Sequence, residues 1–396
     1  MSEPIRVLHI FAPNYKYRFG GQNVYWKSVF SRWNDSKTIH RVLDTEKNMI
    51  LEAREAFDFE YSNKQKMISK WKLITWFFSL YRNLSKYQKD FDTIHVHFLW
   101  WGGLLLGLWA KQKKIPAIFE SVLLDEDSPN GIAHQKLGCL KLWLLKKYSG
   151  ILTISNALTV DYQNYGFPPF KIYTLMNSVD NDIFHPVRSD GEKRTYRSKY
   201  SLPEDAKILI FVGSVIWRKG VDLLIEAFIE AQSEEENLYL VLVGARNKYE
   251  NPSIDEEFIR NLQTTIRERG LNDKVKFIGL IQDRDQLAEI YRASDIFVFP
   301  SRNEGLGNVV LEAMACALPV VVSRLPVLEK VIQDGENGFF VPLEDAGSLI
   351  KAIVSIAQNP ILAGKIGQAA RQYVVASHGF EEWQRQLQQV YRRLLP

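Results

Sequence analysis

The sequence predicts an α/β protein of two parallel-sheet units, and three observations carry that prediction. Short apolar runs alternate with helical patterns from residue 5 to residue 175, and the same alternation starts again at residue 208. Between the two series, residues 187–206 are polar and carry Arg188, Asp190, Gly191, Lys193, Arg194 and Arg197, with little apolar periodicity, as expected of a linker. The length of 396 residues suits about two domains of ordinary size. The expected division is therefore 1–186, linker 187–206, and 207–377, followed by a closing helix in 378–396.

Composition narrows the class. Apolar residues make up 46% of the chain and charged residues 24%, proportions ordinary for a water-soluble globular protein. Cys139 and Cys316 stand far apart and show no metal or redox spacing, which points to a reducing compartment. Met1 runs almost directly into an apolar strand without a cleavage pattern, and no run of eighteen apolar residues exists. A cytoplasmic location follows as the expectation. The net charge of +4 is unevenly placed: residues 1–185 hold 24 Lys+Arg against 17 Asp+Glu, and the remainder holds 26 against 29. A basic front half suggests a face that meets something anionic, phospholipid or an anionic acceptor, since no nucleic-acid motif is visible.

In the first half, Ile5–Ile10 reads as a strand, Gly20-Gly21 as a glycine loop, and 24–30 as a helix start. Residues 64–89 carry seven basic residues, no acidic one, and Met67, Trp71, Ile74, Phe78 and Tyr81 at helical spacing. That mixture suits either a helix lying on an anionic membrane surface or a long helix covering the first sheet. His95 and His97 lie on a strand over 93–98, are read as pointing to opposite faces, and have no partner at metal-ligating spacing. His97, nearer the C-terminal end of its strand, is the candidate for contact with a second substrate. The next strand exits at Glu120-Ser121, and Asp125-Glu126-Asp127 is read as an acidic loop. Ser155 has the position of a helix cap.

The most informative stretch is Pro300-Ser-Arg-Asn-Glu304-Gly-Leu-Gly-Asn-Val-Val-Leu-Glu312-Ala-Met-Ala. It follows the fully apolar strand Ile296–Phe299 and reads as loop and then helix, starting near Asn308. Gly305 and Gly307 let a ligand approach the backbone, and the helix start offers free N–H groups to phosphate. Glu304 and Glu312, eight residues apart, suit hydroxyl groups on either side of a diphosphate. Such a pattern describes a nucleotide-sugar site, with hexose at one end and ribose at the other.

Glu304-x7-Glu312 followed by Ala-Met-Ala-x-x-x-Pro-Val resembles the donor-site signature of retaining glycosyltransferases of the GT-B fold, in particular glycosyltransferase family 4. Gly213-Ser214-Val-Ile-Trp-Arg218-Lys219-Gly is similar to the loop by which that family holds the donor diphosphate. Lys219 matches the family's lysine, whereas Ser214 stands where the family has arginine, with Arg218 as the available substitute. Residues 176–186 resemble the end of the family's first domain, with Ser178 in place of its glycine. Where most members have a histidine near the acceptor, this chain has Glu120 and Ser121.

The resemblance implies two Rossmann-like domains facing a central cleft, the first for the acceptor and the second for the donor, with the closing helix packed back on the first. It also implies transfer of a sugar from a UDP-, GDP- or ADP-sugar to a hydroxyl acceptor with retention. The acceptor would be a glycan or lipid-linked compound of cell-envelope synthesis, and neither a metal nor a further cofactor would be required. Lys219, Arg218 and Glu304 would be catalytic. Gly20, Gly21, Gly213, Ser214, Ile281, Gly305, Leu306, Gly307, Asn308, Val309 and Glu312 would hold the donor, with His97 and Glu120 on the acceptor side. Two other classes stay open: a nucleotide-sugar epimerase on a similar fold, and a binding protein that has lost catalysis.

Overall fold

The structure is a computed structural model that describes residues 3–12, 21–33, 35–44, 49–57, 70–251, 253–305 and 307–395. Gly20, Leu306 and residues 64–69 lie outside them, as do the side chains of Gly21 and residues 70–74. The chain divides into two compact units, Met1–Met176 with Glu381–Pro396, and Asn177–Phe380.

The first unit is a seven-stranded sheet of β1 (Ile5–Ile10), β2 (Thr38–Asp44), β3 (Met49–Glu52), β4 (Thr93–Val96), β5 (Ala117–Ser121), β6 (Gly150–Thr153) and β7 (Ile172–Thr174). Their order is β3-β2-β1-β4-β5-β6-β7, and only the β2–β3 pair is antiparallel. Helix Gly21–Arg32 follows β1, so Gly21 opens a helix at the position expected for the loop. The strands are apolar on both faces because helices cover both, and Leu8, Ile94, Phe119 and Ile151 sit in a continuous core.

Helix Lys70–Lys86 packs on that core through Leu80 and Leu84, both fully buried, and Tyr81 Oη donates to Gly102 O at 2.8 Å. The apolar face expected to include Phe78 is corrected here, for Phe78 is 68% exposed and the buried face lies beside it. With aromatics on most sides of this helix, spacing alone did not select the face. The closing helix Phe380–Leu394 buries Trp383, Leu387, Val390 and Tyr391, with Trp383 edge-on to Tyr25 at 5.7 Å.

The second unit holds a six-stranded, all-parallel sheet of β8 (Lys207–Val212), β9 (Leu238–Val243), β10 (Val275–Gly279), β11 (Ile296–Phe299), β12 (Val320–Ser323) and β13 (Phe339–Val341). The order is β10-β9-β8-β11-β12-β13. Five of these strands fall where the apolar runs predict them, whereas β13, a three-residue edge strand, was not anticipated. The expected linker contains helix Asp190–Lys199, capped by Ser189 and tied into this unit by Lys193 and Arg197 bonds to Asp295. Its stabilising contacts are ionic, so apolar periodicity does not reveal it. Residues 177–186 also belong to this unit, where Phe184 is fully buried and Arg371 bonds the carbonyls of Phe184 and Ala315.

Among the described residues no single helix is long and apolar enough to cross a membrane. Helices Ala346–Gln358 and Pro360–Ser377 together meet that test but bend by 104°, and Leu349, Ile353, Ile366 and Ala370 are buried within the domain. Both cysteines are free thiols.

Helix Pro360–Ser377 presses Gly367 against the turn after helix Asn308–Ala315, where an added Cβ would stand 2.1 Å from Ala317 O. Gly364 of the same helix has nothing within 4 Å of that position. Gly367→Ala is expected to cost about 1–3 kcal/mol through forced separation of the two elements. Gly364→Ala is expected to gain up to about 1 kcal/mol from helix propensity. Urea unfolding of the two variants checks the opposite signs.

Candidate functional site

In the second sheet the chain goes from β8 outward through β9 to β10 on one side and from β11 through β12 to β13 on the other. Strands β8 and β11 therefore flank the topological switch point, outside whose carboxyl ends open α/β sheets bind ligands. The two glycine-bearing loops singled out in the sequence leave these two strands. The loop after β8 carries Gly213, Ser214, Arg218 and Lys219 before helix Val221–Ala231. The loop after β11 carries Ser301 to Gly307 before helix Asn308–Ala315.

The loops are joined by backbone and side chain. Arg302 N donates to Arg218 O at 2.8 Å, and the Arg218 guanidinium donates to Asn303 O at 2.6 Å. Lys219 Nζ donates to Glu304 Oε1, and Ser301 Oγ reaches the same oxygen at 2.8 Å. Arg218 stands 3.8 Å from Glu304 Oε1. Lys219 also lies 5.0 Å above the Phe299 ring. Burial lowers the Lys219 pKa, and the Glu304 carboxylate opposes that shift. Gly220 allows the approach: its φ is +69°, and a Cβ there would sit 1.9 Å from Pro300 O.

Helix Asn308–Ala315 starts beside this pair. Asn308 Oδ1 accepts from Asn177 Nδ2 at 2.8 Å, which fixes the first residue of the helix. Glu312 is buried, with Arg284 at 3.5 Å from one oxygen and Tyr291 Oη at 3.3 Å from the other. Burial pushes its pKa up, and the Arg284 charge opposes the rise. Ser214, in the place of an arginine, accepts from Asn251 Nδ2 at 3.0 Å. Ile281 follows β10, which lies two strands away from β8.

The structure thus brings Arg218, Lys219 and Glu304 together, sets Asn308 and Val309 at the adjacent helix start, and separates Ile281 and Ser214 from that pair's direct contacts. The sequence reading did not assign Asn177, Arg284 or Tyr291 to the site. Their contacts span 131, 28 and 21 residues of chain, so no local spacing announces them.

In the first unit, His97 and Glu120 are buried, at 4% and 3% exposed. His97 Nδ1 pairs with Glu120 Oε2 at 2.5 Å, and Gln22 and Trp26 donate to the same oxygen at 2.9 and 3.0 Å. The expectation that His95 and His97 face opposite ways is corrected: their ring centroids are 4.1 Å apart. Residues i and i+2 of a strand share a face. Asp127 lies on the acidic loop after β5. Its carboxylate accepts from Ser121 Oγ and from the amides of Val122 and Leu123, which closes the turn after β5.

Replacing Glu304 with Leu strands the Lys219 ammonium in a largely buried place, at an expected cost of about 3 kcal/mol. The double variant Lys219→Met/Glu304→Leu is expected to recover more than half of that. A double-mutant cycle on unfolding free energies checks the coupling, and additive losses contradict it.

Comparison with known proteins places these features in context. Residues 192–373 match the family described as "Glycosyl transferases group 1". D-inositol 3-phosphate glycosyltransferase 2 of Catenulispora acidiphila is 34% identical over 210 residues, 52% of this chain and 47% of that protein. Mannosylfructose-phosphate synthase of Agrobacterium fabrum is 28% identical over 267 residues, 66% of this chain and 56% of that one. The chain thus spans about half the length of the curated relatives it matches. Among solved structures, sucrose-phosphate synthase from Thermosynechococcus elongatus superposes with a TM-score of 0.75 at 22% identity, covering 98% of this chain and 99% of that one. Anabaena HepE in complex with UDP and glucose gives 0.77 at 16% identity, covering 98% and 99%. The chain therefore has the two-domain GT-B fold, and its residues 192–373 match the group 1 glycosyl transferases.

Proposed function

We propose that this protein is a retaining glycosyltransferase of family 4 that moves a sugar from a nucleotide-sugar to a hydroxyl acceptor. The observation that carries the reading is the Lys219–Glu304 pair, which joins two phosphate-suited loops at the switch point of the second sheet. The family match over residues 192–373 and the D-inositol 3-phosphate glycosyltransferase relatives support the same activity. The bound UDP and glucose of HepE support a UDP-sugar as the first donor to try.

In this reading the donor diphosphate sits against the start of helix Asn308–Ala315, with the N–H groups of Asn308 and Val309 and the cations of Arg218 and Lys219 around it. Breaking the anomeric bond leaves negative charge on the departing nucleoside diphosphate. Groups already fixed around that charge lower the barrier, because they bind the transition state better than the ground state. Arg218 and Lys219 supply the positive charge, so no metal is needed at the diphosphate. Glu304 accepts from sugar hydroxyls once Lys219 turns to phosphate, and Glu312 lies toward the ribose. No side chain is assigned as a nucleophile.

The acceptor side is read more broadly, as a glycan or lipid-linked hydroxyl compound of the cell envelope presented at an anionic membrane surface. The first unit supports this with exposed Trp101 and Trp143, each with a lysine over its ring: Lys141 at 5.8 Å and Lys147 at 3.9 Å. Exposed Phe78 lies on the basic helix Lys70–Lys86.

A thermal-shift panel of UDP-, GDP- and ADP-sugars selects the donor, since a bound ligand raises Tm. With that donor, Lys219→Ala is expected to lower kcat/KM by roughly 10²–10³-fold per folded molecule. An unchanged kcat/KM removes lysine from the reaction, and product without any acceptor points to an epimerase. The anomeric configuration of the product is expected to match the donor. Co-sedimentation with liposomes is expected only when anionic lipid is included, and absence of binding to every composition refutes the membrane contact.

A further inference from the structure

Four histidines and one carboxylate meet inside the first unit, outside the donor site proposed in the second. His9 on β1, His95 and His97 on and just after β4, His40 on β2 and Glu120 on β5 are all buried. Parallel pairing sets His9 opposite His95, at the switch point of the first sheet. One ring nitrogen or more from each of His9, His95 and His97 falls within 4.8 Å of the others.

Two features of this cluster are unusual for an ordinary core. Glu120 has no lysine or arginine among its partners in the described residues; Gln22, Trp26 and His97 bond to it. A buried carboxylate without a counter-charge is costly. In addition, His95 Nε2 is fully buried and has no hydrogen-bond partner among the described residues, with Glu120 Oε2 4.0 Å away. Such a nitrogen is a desolvated lone pair or proton with nothing to receive it.

We propose that His9, His95 and His97 bind a divalent transition-metal ion, with zinc the ion that fits best, and that Glu120 is the outer partner that orients His97 and balances the charge. Each ring is held by one nitrogen and has the other left for the metal. His97 Nδ1–H donates to Glu120, leaving Nε2. His95 Nδ1 bonds Tyr391 Oη at 2.8 Å, leaving the unpartnered Nε2. His9 Nε2 bonds His40 Nδ1 at 2.7 Å, leaving Nδ1. Ligands oriented through their second nitrogen, one by a carboxylate, are the usual construction of an imidazole metal site.

Two of the three ligand nitrogens need only a small adjustment. His9 Nδ1 and His97 Nε2 share a hydrogen bond of 2.8 Å with the two ring planes 10° apart. A tetrahedral zinc with Zn–N near 2.0–2.1 Å separates two such nitrogens by about 3.3 Å. The metal takes the place of the shared proton. That proton passes from His9 Nδ1 to His9 Nε2, which then donates to His40 Nδ1, and the proton His40 carried on Nδ1 moves to its own Nε2. All three ligands remain neutral and no proton leaves the cluster. The ion would then join β1 to β4 directly and, through His40, Glu120 and Tyr391, tie in β2, β5 and the closing helix. Its role is structural and does not depend on the reaction proposed for the second unit.

The test uses the whole protein, purified without a polyhistidine tag, stripped with chelator and dialysed. Titration with zinc or cobalt followed by elemental analysis is expected to give one ion per chain and a Tm that rises on loading. X-ray absorption of the unsubstituted zinc protein is expected to show a shell of imidazole nitrogens, which needs no variant. Glu120→Gln is expected to weaken zinc binding 10–100-fold, and His97→Ala to abolish it, while Cys139→Ala leaves it unchanged. Failure of the stripped protein to take up either ion overturns the proposal. So does a zinc shell dominated by sulfur or oxygen, or full occupancy in a folded His9→Ala/His97→Ala variant.

Discussion

In the proposed reading, the donor site of the second domain depends on one contact, the ion pair between Lys219 and Glu304. It joins residues 85 positions apart in sequence and lies where the chain crosses from one side of the sheet to the other. Burial lowers the Lys219 pKa, and the Glu304 carboxylate opposes that shift by favouring the charged form. A buried pair of this kind contributes little to stability relative to apolar side chains. Its worth is positional, because it sets a cation and a carboxylate a bond length apart at the head of a helix with free N–H groups.

The neighbours make that placement rigid. Arg302 forms two bonds to Asp222, at 2.8 and 2.9 Å, lies 4.2 Å over the Trp217 ring, and reaches Glu344. One guanidinium thus clamps the loop after β8 from outside, while its own backbone N–H holds Arg218 O. Asn177 does the same for the helix start through Asn308. Fixing donors before charge develops spares the cost of turning them during reaction, which is where electrostatic catalysis gains most.

Much of this was legible in the sequence, and the limits have physical causes. The strand Ile296–Phe299 and the helix start at Asn308 fall where composition and glycines place them, because a buried parallel strand and a glycine loop leave local marks. Arg218, Lys219 and Glu304 were read from motifs that lie within single loops. What stayed hidden was tertiary. His9, His40 and Glu120 are brought to His97 by strand pairing across long crossovers, so spacing along the chain says nothing of them. Helix Asp190–Lys199 was hidden for another reason: it is held by Arg197 and Lys193 on Asp295, and a search for apolar stripes passes over an ionic seam. The histidine faces were misread although the period of two was available.

In the proposed reading, Ser214 stands where the resemblance implies an arginine, and the site must find that cation elsewhere. In this chain Ser214 is occupied by Asn251, so nothing at that position offers positive charge. Arg218 lies four residues on, next to Lys219, and its guanidinium crosses to the partner loop to bond Asn303 O. The cation therefore approaches from the side of the β11 loop, anchored by the same segment that carries Glu304. Arginine suits that task because its planar fork can keep one N–H on a carbonyl and offer others to a phosphate. Two cations adjacent in sequence repel, and Arg218 indeed depresses the Lys219 pKa. Glu304 between them offsets that repulsion at 3.8 Å from one and in direct contact with the other. In the proposed reading, a diphosphate would replace one carboxylate by two phosphates as the counter-charge, which would free Glu304 to accept from a neutral hydroxyl without stranding either cation.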